Sequence, residues 1–298
     1  MNAPDRLNRM DIALLALVTF FWGLSFPVMK YALMSQFPPL TLRTVSFIIG
    51  LVVLVLYLWQ QGHSLYVKPA ERWPVFRVST VMMTFWQLGL VYGVLLLSSG
   101  RAAIIGYTMP VWALVGSVLL YRNPWSWHGA VGVVLALGAT ALLAIGEFKT
   151  FLHSPMGIIV MLSAAVAWGV GTAMTKNTPL TLSNYSFTFW SLMTCTVAFI
   201  PLTIFFEYDA WRAPSWGEWF AMIYAGLTSA FCYVAWFRLT RKLSPVVSSL
   251  SIMLVPVLGL FSSAWLLGEV FTSFDFAALL LILSAMAIVL RPSPKTTA

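Results

Sequence analysis

The sequence predicts an all-α integral membrane protein, with ten transmembrane helices arranged as two inverted five-helix repeats around a central cavity. Of its 298 residues 60% are hydrophobic and only 9% charged, too little charge to cover a soluble domain of this size. Apolar runs of about 20 residues, the length that crosses a hydrocarbon core of about 30 Å, recur ten times. Landmarks of the first half also return at one constant offset. Phe21-Trp22-Gly23 returns as Ala167-Trp168-Gly169, Lys30 as Lys176, Leu97-Ser98 as Leu243-Ser244 and Pro110 as Pro256, each 146 positions later. The runs are continuously apolar rather than alternating, which selects helices over barrel strands.

The first span, near residues 12–31, holds the Trp-Gly pair, Pro27 and Lys30. It is as long as a full crossing, lacks a small-residue cleavage site and recurs as the sixth span, so it is read as part of the mature protein rather than as a signal peptide. The second, 40–58, follows Phe37-Pro38-Pro39 and carries Arg43 near its start. Residues 59–77, with Lys68, Pro69, Glu71, Arg72 and Trp73, are expected to lie in the headgroup region. The third span, 78–97, carries Trp86-Gln87 and a GxxxG at Gly89 and Gly93, a spacing that more often packs helices within a chain than between chains. The fourth, 102–121, carries Tyr107-Thr108-Met109-Pro110, and the fifth covers 128–146. The sixth, 155–175, repeats the Trp-Gly pair, and the seventh, 184–206, contains Cys195. The eighth, 218–237, contains Cys232, Tyr233 and Trp236; the ninth, 245–267, contains Ser251, Met253 and Pro256 and closes on Leu267-Gly268-Glu269; the tenth is 274–291. The repeats are accordingly placed at 1–146 and 147–298. The two cysteines fall inside spans with no CxxC pair or metal spacing and are read as small core residues, with no cofactor implied.

The net charge of +8 is explained by topology, not by nucleic acid. With a cytoplasmic amino terminus, 12 of the 17 basic residues lie on the inner side, which predicts both termini inside. Because five is odd, the second copy enters the membrane upside down, and two such halves can open opposite sides with similar motions, the geometry of alternating access. All nine carboxylates fall in tails, loops or span ends, with none at mid-membrane where an ion or proton relay needs one. Carriage down the solute's own gradient, without obligatory ion coupling, is therefore expected.

Pro110 and Pro256 lack the N–H that would bond Gly106 and Ile252 four residues earlier. They are expected to act as hinges and to leave acceptors near mid-span, where an ammonium group fits. Donors from Ser, Gln or Trp would meet a carboxylate, and aromatic walls an apolar side chain. A small zwitterion is the solute this chemistry suits, with a monomeric protein in the bilayer as the working unit.

Phe21-Trp22-Gly23 with Pro27 and Lys30, Phe37-Pro38-Pro39 leading to Arg43, Ala102 to Pro110, and Ser244-Pro245 through Pro256 to Leu267-Gly268-Glu269 resemble the drug/metabolite transporter superfamily. The likeness is to its ten-helix EamA-type members, and among those to the YddG-type amino-acid exporters of the bacterial inner membrane. It covers essentially the whole chain. Two departures stand out: the first-copy counterpart of Leu267-Gly268-Glu269 is Tyr121-Arg122-Asn123, and Arg43 maps onto Phe189. The two halves are thus not expected to gate identically. The resemblance implies export of amino acids of broad range, including Phe and Met, through a cavity lined by Trp86, Gln87, Tyr107, Met109 and Trp168. The inverted copy adds Cys232, Tyr233, Trp236, Ser251 and Met253.

Other classes fit less well. His63, His128 and His153 lie outside the spans or at their edges, and no HExxH, GxSxG or P-loop pattern occurs, which weighs against a membrane enzyme. No span carries the charge ring or carbonyl filter of a selective channel. A scaffold subunit and an exporter of cationic drugs or other small metabolites are the remaining alternatives.

Overall fold

Lipid offers no partner to a backbone N–H or C=O, so each apolar run closes on itself as helix. The computed structural model describes residues 9–125, 127–150, 155–240 and 245–289, with the backbone alone at 146–150, 237–238, 240 and 245–252. The order is α1 (Arg9–Met34), α2 (Pro39–Gln60), α3 (Pro69–Ser79), a π-helical turn (Thr80–Thr84), α4 (Phe85–Leu96), α5 (Ser99–Gly106), α6 (Met109–Tyr121), α7 (Trp127–Thr150), α8 (Met156–Asn177), α9 (Asn184–Glu207), a short 3₁₀ turn, α10 (Trp216–Thr240), α11 (Pro245–Leu267) and α12 (Ser273–Val289). Among the described residues no strand occurs. Eight helical stretches there are long and apolar enough to cross a membrane, α3 to α4 and α5 to α6 each forming one, and α11 and α12 supply two further apolar helices.

Two elements differ from expectation. Residues 69–77 do not lie flat: Pro69 opens α3, where a missing N–H costs nothing, and the helix continues through the π turn into α4. Glu71, Arg72 and Arg77 had lowered the apolar signal of a stretch that is nonetheless helical. The fourth crossing is broken rather than kinked. α5 ends at Gly106, Tyr107 and Thr108 form a turn, and Pro110 falls in the first turn of α6, the place a helix tolerates proline best. Pro256, its counterpart, sits inside a continuous α11.

Contacts between helix ends reveal the inversion. On the face where α1 ends, Lys30 Nζ donates to the carbonyls of Val94, Leu95 and Leu97 at the end of α4, so this lysine caps a helix C-terminus rather than snorkelling to headgroups. On the same face Glu207, ending α9, accepts from Leu40 N, Thr41 N and Thr41 Oγ1 at the start of α2, and Ser35 after α1 donates to Glu218 at the start of α10. Glu269, after α11, accepts from Ser99 N, Ser99 Oγ and Gly100 N at the start of α5, and Arg101 of α5 pairs with Asp275 of α12. The second crossing starts on this face and its repeat mate, the seventh, ends there; the third ends and the eighth starts; the fourth starts and the ninth ends. On the opposite face Glu71 of α3 accepts from Thr181 N and Oγ1 just before α9.

The pseudo-two-fold also repeats one close contact. A Cβ on Gly23 of α1 would meet Leu258 Cβ of α11 at 2.6 Å and Gly259 N at 3.5 Å, and one on Gly169 of α8 would meet Trp112 Cβ and Ala113 N of α6, each at 2.6 Å. Adding 146 turns the members of the second contact that lie on α6 into those on α11. Gly89 and Gly93 pack within the chain, against Val160 to Ala164 of α8. Gly169→Ala is expected to cost about 1–3 kcal/mol, because two of the three atoms in its way, Met109 O and Ala113 N at 2.6 Å, are backbone. Gly138→Ala, whose nearest neighbour is a Leu281 methyl at 3.8 Å, is the control. Melting curves in detergent that show the two variants alike would refute the packing argument.

Candidate substrate cavity

The π turn at Thr80–Thr84 inserts an extra residue into the third crossing and resets its register. Phe85 is left facing outward, while Trp86 and Gln87 are buried. The break in the fourth crossing does the same for Tyr107, which is 4% exposed, and α6 begins at Met109. These four residues line one cavity with Trp168 of α8 and Tyr233 of α10, so six of the residues singled out by sequence converge. The space left is about 80 Å³ for the centres of water-sized molecules, enough for several waters since each needs roughly 10–15 Å³ by this measure.

Much of the wall is aromatic. Trp86 and Trp168 are 5.5 Å apart between ring centroids, Trp168 stacks on Tyr233 at 6.0 Å, and Tyr233 meets Trp22 of α1 at 5.9 Å. Phe26 faces Tyr107 at 6.3 Å. Polar groups interrupt it at Ser25, Thr228 and Ser229 and along a chain of three residues: Arg43 Nη2 donates to Gln87 Oε1 at 2.5 Å, and Gln87 Nε2 donates to Tyr233 OH at 3.4 Å. Gln87 and Tyr233 are 146 positions apart, so they are repeat mates in direct contact. Mates can meet only where the pseudo-two-fold axis passes, and the cavity therefore sits on the seam between the halves.

Other expected residues lie elsewhere. Trp236, one turn beyond Tyr233, packs on Trp22 at 5.7 Å with Val18 and Cys232 and is not among the residues lining the cavity. Cys232 itself is buried in that cluster. Met253 packs against the main core and does not line the cavity. It is the mate of Tyr107, but α11 has no break to turn it inward. The side chain of Ser251 lies outside the described residues. Pro110 is half-buried at the start of α6 and Pro256 buried within α11.

Sequence reading missed Arg43, which was placed near a span end. It is 3% exposed, lines the cavity and holds its guanidinium carbon 4.6 Å from the centre of the Phe47 ring. Its signal was available: an ionisable residue within an apolar run is a functional candidate by default. Trp22 and Ser25 were missed as well, although Trp22 is the repeat mate of Trp168. Glu218 and Glu269, the two carboxylates closest to span ends, are both engaged by helix-end groups, and neither lines the cavity. The Asn123 that replaces a glutamate in the first copy bonds Ser117 in its own half, and among the described residues it makes no cross-half bridge like that of Glu269.

The EamA-like transporter family model matches residues 9–145 and again residues 155–291. The chain is 27% identical over 252 residues to the uncharacterized transporter YoaV of Bacillus subtilis (strain 168), covering 82% of this chain and 84% of that one. It is 24% identical over 277 residues to the uncharacterized inner membrane transporter YedA of Escherichia coli (strain K12), covering 90% and 86%. A solved crystal structure, 19% identical and covering 92% of this chain and 95% of its own, superposes with a TM-score of 0.66, which speaks to the fold alone.

Proposed function

The chain belongs to the EamA-like transporter family, and on that premise we propose that it exports amino acids of broad range, bulky and aromatic ones included, across a bacterial inner membrane by alternating access, as the YddG-type exporters do. The observation that carries this reading is the contact of Gln87 with its repeat mate Tyr233 inside an aromatic cavity. A solute there touches both inverted halves, so exchanging their roles re-exposes it to the other side. Aromatic faces suit a bulky side chain, while Ser25, Gln87 and Tyr233 supply hydrogen bonds to a polar head. No carboxylate is among the residues lining the cavity, which supports carriage without obligatory ion coupling, with both termini cytoplasmic. The protein needs no partner chain for this cycle. Export of cationic drugs is the second reading, since aromatic rings also attract cations, but the guanidinium of Arg43 in the wall weighs against it.

Counterflow in reconstituted vesicles tests the proposal. Labelled phenylalanine is expected to accumulate transiently when the vesicles are preloaded with phenylalanine or methionine, and not when they are preloaded with a quaternary amine or a nucleotide. Exchange confined to the amine or the nucleotide would replace the reading, and steady accumulation driven by an imposed pH difference would overturn its uncoupled form.

A further inference from the structure

We infer that Arg43 is the anchor for the carboxylate of the solute, making this a carboxylate-selective site rather than a general aromatic one. The inference rests on the carrier reading above and specifies its chemistry. Arg43 is 3% exposed and sits one turn into α2, with its side chain in the cavity wall. A guanidinium stays protonated at any physiological pH, so a full positive charge is buried here. Among the described residues it has no carboxylate partner. Glu207, Glu218, Glu269 and Asp275 are each held by helix-end groups on the face where α1 ends, and Glu71 is held on the other. Asp11 lies in the first turn of α1, at the opposite end of that helix.

The groups that Arg43 does meet are neutral. Nη2 is spent on Gln87 Oε1, the Phe47 ring covers one face, and Nε is buried with no acceptor. A buried charge without a counter-ion is costly, and a buried donor without an acceptor adds to the cost. An anionic oxygen entering the cavity supplies the missing counter-charge. The neighbours are arranged for that entry. Because Gln87 Oε1 accepts from Arg43, its amide nitrogen is turned to Tyr233 OH. The tyrosine oxygen therefore accepts, and its own proton is free to be donated. A carboxylate, with two oxygens and about four acceptor sites, can meet both the charge of the Arg43 guanidinium and the Tyr233 O–H, while its apolar body lies along Trp168 and Trp86. The same charge repels ammonium compounds that lack a carboxylate.

Three phenyl solutes separate the groups: phenylalanine, 3-phenylpropionate (carboxylate without ammonium) and phenethylamine (ammonium without carboxylate). Binding is read by the shift they cause in the melting temperature of the detergent-solubilised protein, and transport by competition against labelled phenylalanine. In the native protein, 3-phenylpropionate is expected to bind and phenethylamine not. Arg43→Gln is expected to weaken phenylalanine and 3-phenylpropionate at least tenfold and to narrow the gap to phenethylamine, with Arg43→Lys intermediate. Gln87→Glu is a second route that keeps the arginine: it supplies an internal counter-ion, so melting without ligand is expected to hold or rise while carboxylate binding falls. Phosphate added as a competitor asks whether any anion suffices; displacement of 3-phenylpropionate by phosphate at equal concentration would overturn carboxylate selectivity. Native counterflow of phenylalanine with unchanged affinity in both Arg43→Gln and Gln87→Glu would sink the anchor and leave the carrier reading standing. Absent phenylalanine counterflow, with 3-phenylpropionate stabilising the native protein and not Arg43→Gln, would do the reverse.

Discussion

Asp275→Ala is expected to destabilise the protein by about 3–5 kcal/mol, the cost of removing one member of a buried ion pair. Asp275 is fully buried, and its Oδ1 lies 2.5 Å from Arg101 Nε and its Oδ2 3.2 Å from Arg101 Nη2, a bidentate pairing. Oδ2 also accepts from Thr272 N and Thr272 Oγ1 at 2.7 and 2.8 Å, capping the start of α12. One side chain thus holds a helix terminus and a cation that belongs to the other half of the molecule. Deleting it takes the carboxylate from a buried guanidinium and the cap from α12 together. Removing both charges is a different matter, because well-packed apolar residues of similar volume often replace a buried pair at little cost. The double variant Arg101→Met with Asp275→Leu is therefore expected to recover most of the loss. Unfolding by titrated detergent measures both. A loss below about 1 kcal/mol for the single change would mean that water screens the pair, as it does at a protein surface.

That pair was not legible in the sequence, whereas the crossings were. Lipid imposes one rule on the backbone, and ten apolar runs obey it visibly. The duplication was legible because five crossings per copy force inversion, and the cross-half contacts of Glu207, Glu269 and Asp275 display it. Depth was harder. Arg43 follows Pro39 by only four residues, which reads as a span end, yet the start of α2 is roofed from the other half by Glu207 on Leu40 and Thr41 and by Arg212 over the Phe37 ring. Burial made by residues more than 160 positions away leaves no trace in a local window. The repeat offset misled at Met253 for another reason: Pro110 breaks its crossing and Pro256 does not, so the mate of Tyr107 is not turned the same way. At Gln87 in α4 and Tyr233 in α10, where neither crossing is broken, the offset found two residues in contact.

Trp168→Ala is expected to lower apparent affinity for the carried solute about tenfold, near 1.4 kcal/mol, in a protein that still folds. Trp168 is held between Trp86 and Tyr233, and it packs against the main core, the cluster centred on α2 with α9, and the small cluster of α3 with α8. Its backbone is equally fixed, because Gly169 and Gly171 lie against α6 and against Met82 of the π turn. The ring is therefore presented in one orientation, and aromatic pairs of this kind contribute about 0.5–1.5 kcal/mol each beyond area. Truncation removes the surface on which a bulky side chain would stack and releases Tyr233 from one side. Trp168→Phe keeps a flat face and is expected to retain most of the affinity. Trp236→Ala is the matched comparison: it deletes an equal ring outside the cavity, so melting is expected to fall while the Michaelis constant for uptake stays put. Should the Trp168 and Trp236 truncations change uptake alike, the solute does not rest on the aromatic wall, and the axis contact between Gln87 and Tyr233 would belong to the scaffold instead of the site.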